Sequence, residues 1–221
     1  MTIGIVLAVL FVFEVANVLW KKISHPNIRK VTKFGHKIIG ILFLITAVFH
    51  MILVLPLIKQ RPIAMYILGF VMIACALILV LSFVFRRKLK QYWIVIHRMV
   101  AGIIGICLLL HIYLGITSLN QYKQLIEGIQ IENVDMTKVP DGNYIGTCDA
   151  GYIYAKVEVC VKAGTITKVE LLEHRTERGK PAEVITDKML QVNNVKVDAI
   201  TGATNSSKVI MKAAENALEQ K

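Results

Sequence analysis

Residues 93–119 read WIVIHRMVAGIIGICLLLHIYLGITSL, and this stretch decides the class of the fold. It contains one charged residue, Arg98, and two histidines, His97 and His111. Since about 20 apolar residues of α-helix cross a bilayer, the stretch predicts a membrane span. Three further apolar runs of comparable length precede it, at 2–20, 37–58 and 63–85.

Composition agrees with a membrane protein. Of the 221 residues, 55% are hydrophobic, and the mean hydropathy is +0.59, which is high for a soluble globular domain. The net charge of +11 comes from the apolar half: residues 1–119 hold 13 Lys and Arg against one acid, Glu14, whereas 120–221 hold 13 against 14 Asp and Glu. Nucleic-acid binding uses a basic surface on a folded domain, and the polar half of this chain is nearly neutral. We therefore expect contact with membrane lipid and no nucleic-acid partner.

The charges between the spans predict the orientation of the chain. The first and third connections, with the adjoining span ends, carry eleven Lys and Arg, whereas the second carries only Lys59 and Arg61. Strongly basic short loops stay in the cytoplasm. We therefore expect a multi-pass protein of the cell membrane in which both termini and all residues after 119 are extracytoplasmic.

Four histidines occur at matched spacing in two of the spans. His36 and His50 lie on the second span, His97 and His111 on the fourth, and each pair is 14 residues apart, or about 21 Å along a helix. The two spans run parallel, so His36 is level with His97, and His50 with His111. Paired imidazoles ligate the iron of a b-type haem, and the pattern predicts two haem b groups. Glycines that leave room for a flat macrocycle lie nearby: Gly40, Gly102, Gly105 and Gly115.

This arrangement resembles the paired-histidine helices of ferric reductase-like and cytochrome b-type membrane proteins, over residues 1–119. The alternative is that the histidines are structural or interfacial. Two roles are equally open for Glu14. It could serve proton or quinone chemistry, or its side chain could be merely paired or exposed.

The second half of the chain predicts a connector at 120–138 and a small α+β domain at 139–221. Val157, Val159 and Val161 alternate with polar residues as in a strand, and the Ala163-Gly164 turn leads into a second strand at 165–172. The other expected elements are a helical stretch at 122–127, helices at 181–191 and 206–219, and a short strand at 195–197.

The stretch Asp198-Ala-Ile-Thr-Gly-Ala-Thr204-Asn-Ser-Ser207 directly precedes the last predicted helix. A helix N-terminus offers free N–H groups and the positive end of the dipole, which suits a phosphate. Gly202 lets the backbone approach closely, and Ser206 and Ser207 add hydroxyl donors. The alternative is an ordinary Ser, Thr or Asn helix cap.

Thr201-Gly-Ala-Thr204-Asn-Ser-Ser resembles the flavinylation motif of the FMN-binding domain family, which includes covalently flavinylated subunits of Rnf and sodium-pumping quinone reductase complexes. Two other stretches are similar to the same family, so the resemblance covers 139–220: Asp141-Gly-Asn-Tyr-Ile-Gly and His174-Arg-Thr-Glu-Arg-Gly-Lys-Pro. The resemblance implies that Thr204 carries covalent FMN through a phosphoester, installed outside the cytoplasm by a flavin transferase.

The resemblance also suggests roles for neighbouring residues. Asp198 would belong to the transferase recognition signal, and Thr201 stands where the family's best-known members have Ser. Gly202 and Ala203 complete the motif. The charged loop at 174–180 would line the flavin through Glu177, Gly179 and Lys180, with His174 or Arg175 as further contacts. The alternative is that this loop is simply solvated.

These features predict a four-helix transmembrane bundle followed by a small α+β FMN-binding domain. Electrons would pass from menaquinol or a cytoplasmic-side membrane dehydrogenase, through two b haems and FMN, to an extracytoplasmic acceptor. Whether the protein is an oxidoreductase or an electron-transfer flavocytochrome stays open, and no catalytic residue is assigned. The alternatives are a membrane-anchored flavoprotein sensor or assembly subunit without haem, and a self-contained ferric or quinone reductase. A Cys148–Cys160 disulfide is also left open.

Overall fold

The computed structural model describes residues 2–23 and 26–219, with side chains at 3–20 and 30–219. The chain divides into two compact units. The helical unit runs to Ile58 and then covers Pro62–Gly115, and the sheet unit comprises Lys59–Arg61 and the described residues from Ile116 onward. The prediction that both termini are extracytoplasmic concerns residues 1 and 221, which lie outside the described residues.

The helical unit is built from apolar helices. Within the described residues, four helices are long and apolar enough to cross a membrane. They are α1 (Thr2–Ile23), α2 (Pro26–Val54), α3 (Ile63–Val84) and α5 (Tyr92–Gly128), with the short α4 (Arg86–Leu89) before the last. Large apolar side chains such as Val12, Ile45 and Leu109 are exposed along them, as expected for surfaces that face lipid rather than water. The four predicted apolar helices are therefore confirmed.

Prolines and one strained residue set the helix boundaries. A 3₁₀ turn at Leu55–Leu57, which contains Pro56, follows α2, and Pro62 immediately precedes α3. Proline suits the start of a helix because its missing N–H would have no partner there. Lys90, with a φ of 49°, separates α4 from α5.

The helices of this unit meet around a small core. Cys75, Ala76 and Ile104 are buried together, with Phe11 and Leu44 packed against them. The closest backbone packing is between α1 and α2, whereas α5 makes no comparable backbone approach to α2 within the described residues.

The sheet unit contains a three-stranded antiparallel sheet in the order β1-β2-β3. The strands are β1 (Gly142–Asp149), β2 (Tyr154–Lys162) and β3 (Thr165–Arg175). Alternate residues of β2, including Val157, Val159 and Val161, are buried. Ala163 and Gly164 both have positive φ, 51° and 68°, as a tight hairpin turn requires. The predicted hairpin is confirmed.

Two helices cover the sheet unit's core. A 3₁₀ turn at Lys180–Val184 leads into α6 (Ile185–Val192), and α7 (Thr204–Glu219) packs on β1 and β2. The inner face of α7 is rich in small residues, and Gly146 of β1 lies directly beneath it. A Cβ added at Gly146 would lie 2.1 Å from the carbonyl oxygen of Ala213, so glycine allows the helix backbone to touch the strand.

The segment before the sheet is more regular than the sequence suggested. Helix α5 continues unbroken through the expected stretch 122–127 to Gly128, and a 3₁₀ turn forms at Met136–Lys138. Between them, the Glu132 N–H donates to Oε1 of the fully buried Glu215, at 2.9 Å. Helix α7 thereby holds this segment in place.

The predicted strand at 195–197 is wrong. The structure has irregular backbone there, although Val195 is fully buried. Asparagine side chains hold this segment: Asn193 Oδ1 accepts from the N–H of Ile166 in β3 at 2.7 Å, and Asn194 Oδ1 accepts from the Lys196 N–H at 3.2 Å. Val195 is therefore buried without belonging to a strand.

Candidate functional site

Thr204 is the first residue of α7 and is exposed. The loop before it turns at Gly202, whose φ is 79°, and the Ala203 N–H donates to the Ile200 carbonyl at 3.0 Å. The first N–H groups of a helix have no partner within the helix. An exposed hydroxyl thus lies beside backbone donors that favour a phosphate.

The two serines that follow have a different environment. Ser207 is fully buried; its Oγ accepts from the Ile200 N–H at 3.0 Å and donates to the Ala203 carbonyl at 3.1 Å. Ser206 is 2% exposed, and its Oγ lies 3.2 Å from Thr176 Oγ1. Their hydroxyls are engaged inside the domain and hold the loop in shape, rather than facing outward beside Thr204.

The charged loop after β3 packs against the start of α7 at one point. The Gly179 N–H donates to Thr176 Oγ1 at 2.9 Å. A Cβ added at Gly179 would lie 1.8 Å from Ser206 Oγ, so only glycine allows this approach. Lys180 and Glu177 are exposed, and Glu177 forms an ion pair with Arg61. The structure therefore brings one end of the predicted flavin loop to the predicted attachment site.

Residues 198–203 complete the motif on the surface. Asp198, Thr201 and Gly202 are exposed, whereas Ala203 is buried. The Asp198 carbonyl accepts from Lys188 Nζ at 3.5 Å. An exposed Asp198 is accessible to a modifying enzyme.

A pair of stacked tyrosines next to the motif was not predicted from the sequence. Tyr122 and Tyr152 stack with ring centroids 5.0 Å apart and planes at 15°, and Asn205 Nδ2 donates to the Tyr122 hydroxyl at 2.8 Å. The Arg61 guanidinium lies 4.1 Å from the Tyr152 ring centroid. The Tyr152 hydroxyl is buried and makes no hydrogen bond within the described residues. No sequence pattern links two tyrosines this far apart.

His174 is buried near the end of β3. Its side chain is 2% exposed, and Nδ1 lies 3.0 Å from Glu183 Oε1. Nε2 is buried without a hydrogen-bond partner in the described part of the chain. The contact between His174 and Glu183 could not be predicted from the sequence, because the two residues lie in different elements.

The cysteines of the sheet unit are both free. Cys148 is paired with Ala155 and Cys160 with Asn143, so the two cysteines are five positions apart along the β1-β2 ladder. That offset is about 17 Å, well beyond the roughly 7 Å between Cα atoms that a disulfide tolerates. The register therefore resolves the open question against a disulfide.

The histidines predicted at the inner level meet in the helical unit. The ring centroids of His36 and His97 are 6.0 Å apart, with ring planes at 75°. Nδ1 of His36 is hydrogen-bonded to Oε2 of Glu14. The ring of Trp93 packs edge-on against His97, with centroids 6.1 Å apart.

The contacts of the outer pair, His50 and His111, differ from those of the inner pair. Ring atoms Cε1 and Nε2 of His50 lie 3.8 and 4.0 Å from the position of a Cβ added at Gly4. Nδ1 of His111, like Nδ1 of His97, is buried without a hydrogen bond in the described residues.

The inner pair fits the ligation of a b haem. Metal–imidazole bonds are about 2 Å long, so two imidazole rings that share one iron would have centroids up to about 6 Å apart, and the observed separation is close to that value. Within the described residues, no group of three or more His, Cys, Asp and Glu could hold a bare metal ion. Haem needs only two protein ligands.

The glycines expected to leave room for a macrocycle have side chains of other helices nearby. Gly40 faces Glu14, Gly105 faces Phe11 and Gly115 faces Met65, with ordinary contact distances of 3.7, 3.4 and 3.4 Å to an added Cβ. Gly102 has no atom within 4 Å of an added Cβ. The role of these glycines beside a haem stays a prediction.

Residues 150–219 match the family model of the FMN-binding domain. The resemblance is thus confirmed for most of the predicted domain, beginning at 150 rather than 139, and FMN is its expected cofactor. The searches of curated proteins and of solved structures gave no match. The resemblance of the helices to ferric reductase-like proteins has no supporting family match and stays a prediction.

Proposed function

We propose that this chain is a membrane electron carrier that holds FMN covalently on Thr204 and two b haems between its helices. The observation that carries the proposal is the FMN-binding domain match at 150–219, combined with an exposed Thr204 at the start of α7. The same chain places His36 beside His97 on apolar helices. A flavoprotein with these features is suited to electron transfer.

The chain's own role at the flavin site is attachment and positioning. The Thr204 hydroxyl would form the phosphoester with FMN while a flavin transferase cleaves the pyrophosphate of FAD, releasing AMP and the hydroxyl proton. The free N–H groups of α7 would stabilise the phosphate. Ser206, Ser207 and Thr176 keep the loop in shape through their hydrogen bonds, and Glu177 and Lys180 would border the flavin.

The histidines would supply iron-binding nitrogens at two levels. His36 and His97 would hold the inner haem, and His50 and His111 the outer one. When bound, such haems carry single electrons reversibly between Fe(III) and Fe(II). The helices contribute ligand spacing and an apolar surrounding, and the exposed apolar surface keeps these sites within the membrane.

The charge distribution supports a direction for the transfer. The basic connections would lie in the cytoplasm, so electrons would enter from menaquinol or a membrane dehydrogenase on that side and leave Thr204-bound FMN for an extracytoplasmic acceptor. A haem-free anchor for a flavin sensor would not need two histidine pairs at equal spacing. A self-contained ferric or quinone reductase would differ by steady-state activity of the isolated protein.

One experiment tests the proposal as a whole. The full chain is co-expressed with a flavin transferase, purified in detergent and reduced with dithionite. We expect the absorption spectrum of two low-spin b haems per chain and flavin fluorescence that survives denaturing electrophoresis. The change His50→Ala with His111→Ala removes one haem. A wild-type protein without haem, or a double variant that keeps both, would contradict the haem assignment.

A further inference from the structure

Glu14 is the single acid among the first 119 residues, and it lies within an apolar helix. Its side chain is 14% exposed. An ionisable side chain in a membrane span is costly and is usually retained for function. The sequence left its role open, and the structure gives it a specific partner.

That partner is His36. Oε2 of Glu14 is hydrogen-bonded to Nδ1 of His36. A carboxylate only accepts hydrogen bonds, so His36 donates to Glu14 from Nδ1, and Nε2 is the ring nitrogen that does not face Glu14. His97 stands on α5 with its ring centroid 6.0 Å from that of His36.

The second carboxylate oxygen has a different surrounding. Oε1 of Glu14 is buried without a hydrogen bond in the described residues and lies 3.7 Å from a Cβ placed at Gly40. Within the described residues, the Glu14 side chain therefore has one hydrogen-bonding partner, His36, which is a predicted haem ligand.

We propose that Glu14 is a positioning residue for the inner haem: it orients His36 through Nδ1, leaves Nε2 to bind the iron, and lowers the reduction potential of that site. This inference rests on the proposed function, because it requires a haem between these two histidines. Glu14 itself touches neither iron nor macrocycle.

The physical reason lies in the charge of the carboxylate. Metal-ligating histidines commonly donate their second ring N–H to a carboxylate, which fixes the ring and makes the ligating nitrogen more basic. A more basic ligand and a nearby negative charge both favour Fe(III) over Fe(II). The apolar surrounding screens this charge less than water would. The outer pair makes no such contact with Glu14, so the two haems would differ in potential.

The test measures each haem separately by potentiometric titration of the purified full chain. The change Glu14→Gln keeps an oxygen that can accept from Nδ1 but removes the charge. It is made in two backgrounds. One carries His50→Ala and His111→Ala and retains the inner haem; the other carries His36→Ala and His97→Ala and retains the outer haem.

We expect Glu14→Gln to change the ratio of reduced to oxidised inner haem about tenfold toward the reduced form, which is about 59 mV for a one-electron couple. The outer haem keeps its potential. A matched control on the same helix is Asn17→Ala, which removes the 3.1 Å hydrogen bond from Asn17 Nδ2 to the Thr32 carbonyl without changing charge. This control leaves both potentials unchanged.

A second variant keeps the inference testable if Glu14→Gln loses the inner haem. Glu14→Asp retains the charge on a shorter side chain, so we expect the inner haem to be retained at a potential close to wild type. An unchanged inner potential in Glu14→Gln overturns the inference, as does an equal shift in Asn17→Ala. Absence of haem from the wild type instead refutes the proposed function, so the two failures are distinguishable.

Discussion

Thr201 and Thr204 are exposed, whereas Ser206 and Ser207 of the same motif are buried and hydrogen-bonded inside the domain. Position then separates the two threonines, because only Thr204 belongs to α7, where unpaired N–H groups and the dipole favour a phosphate. One residue thus combines a reachable hydroxyl with a phosphate-stabilising backbone.

We therefore expect Thr204→Ala to abolish covalent flavin completely and Thr204→Ser to retain it. In-gel flavin fluorescence after denaturation measures the attachment, and the haem spectrum serves as a control for folding. Thr201→Ala is the matched control, since it removes an equally exposed hydroxyl outside the helix, and it retains the flavin. A phosphoester found on Ser206 or Ser207 by peptide mass spectrometry would contradict this prediction, as would no adduct despite co-expressed transferase.

Gly179 tests how tightly the charged loop packs on the start of α7. A Cβ there would lie 1.8 Å from Ser206 Oγ and 2.7 Å from Thr176 Oγ1, and overpacking typically costs about 1–3 kcal/mol. We expect Gly179→Ala to lower the free energy of unfolding of the sheet unit by that amount, measured in the full chain by denaturant titration followed through flavin fluorescence.

Gly128→Ala is the control for this packing prediction. Gly128 ends α5 and has no atom within 4 Å of an added Cβ, so the change is neutral or slightly stabilising because alanine favours helix. Equal stability of the Gly179 and Gly128 variants would show that the loop is not packed as described.

At the scale of elements, periodicity determined what could be read from the sequence. Long apolar runs predict the four helices because each run is long enough to cross a bilayer. The alternation at Val157, Val159 and Val161 predicts β2 because one face of the strand is buried. The single valines at 195 and 197 have no such pattern. Their segment is held by Asn193 and Asn194, contacts that depend on tertiary structure.

The candidate sites also combine features that the sequence could predict with features that it could not. Equal spacing on parallel helices was sufficient to bring His36 next to His97, and the motif placed Thr204 at a helix start. The Tyr122–Tyr152 stack and the Glu14–His36 contact come from packing between elements distant in sequence. No local pattern could have indicated them.

The burial of Cys148 and the β1-β2 register each lead to a testable prediction about the cysteines. Burial raises the pKa of the Cys148 thiol, and Asp149 adds to this increase. The thiolate is the reactive form, so we expect alkylation of Cys148 to be slower in the native protein than in urea at pH 8. Its native rate should keep rising at pH values where the unfolded thiol, with a pKa of about 8.5, has levelled off. Mass spectrometry of trapped peptides measures both rates. An intact Cys148–Cys160 disulfide under non-reducing conditions would show that the register is wrong.

At the scale of the whole molecule, the chain separates an apolar, basic half from a nearly neutral, polar half. The two halves would bind different cofactors, haem between helices and FMN on a helix start. Such a division is useful only if the FMN-binding domain lies on the side where a flavin transferase works. The orientation of the helices therefore decides whether the two proposals are compatible.

The basic connections predict this orientation, since they hold eleven Lys and Arg against two in the connection between α2 and α3. The test uses a background with the four native cysteines changed to alanine. In intact cells, a membrane-impermeant maleimide should label Gln130→Cys, which lies after α5, but should label Lys88→Cys, in the basic α4, only after lysis. Both wild-type side chains are exposed, so a difference between them reports sidedness rather than burial. The reverse pattern would place Thr204 in the cytoplasm, and then flavinylation outside the cell could not occur, however well the motif is preserved.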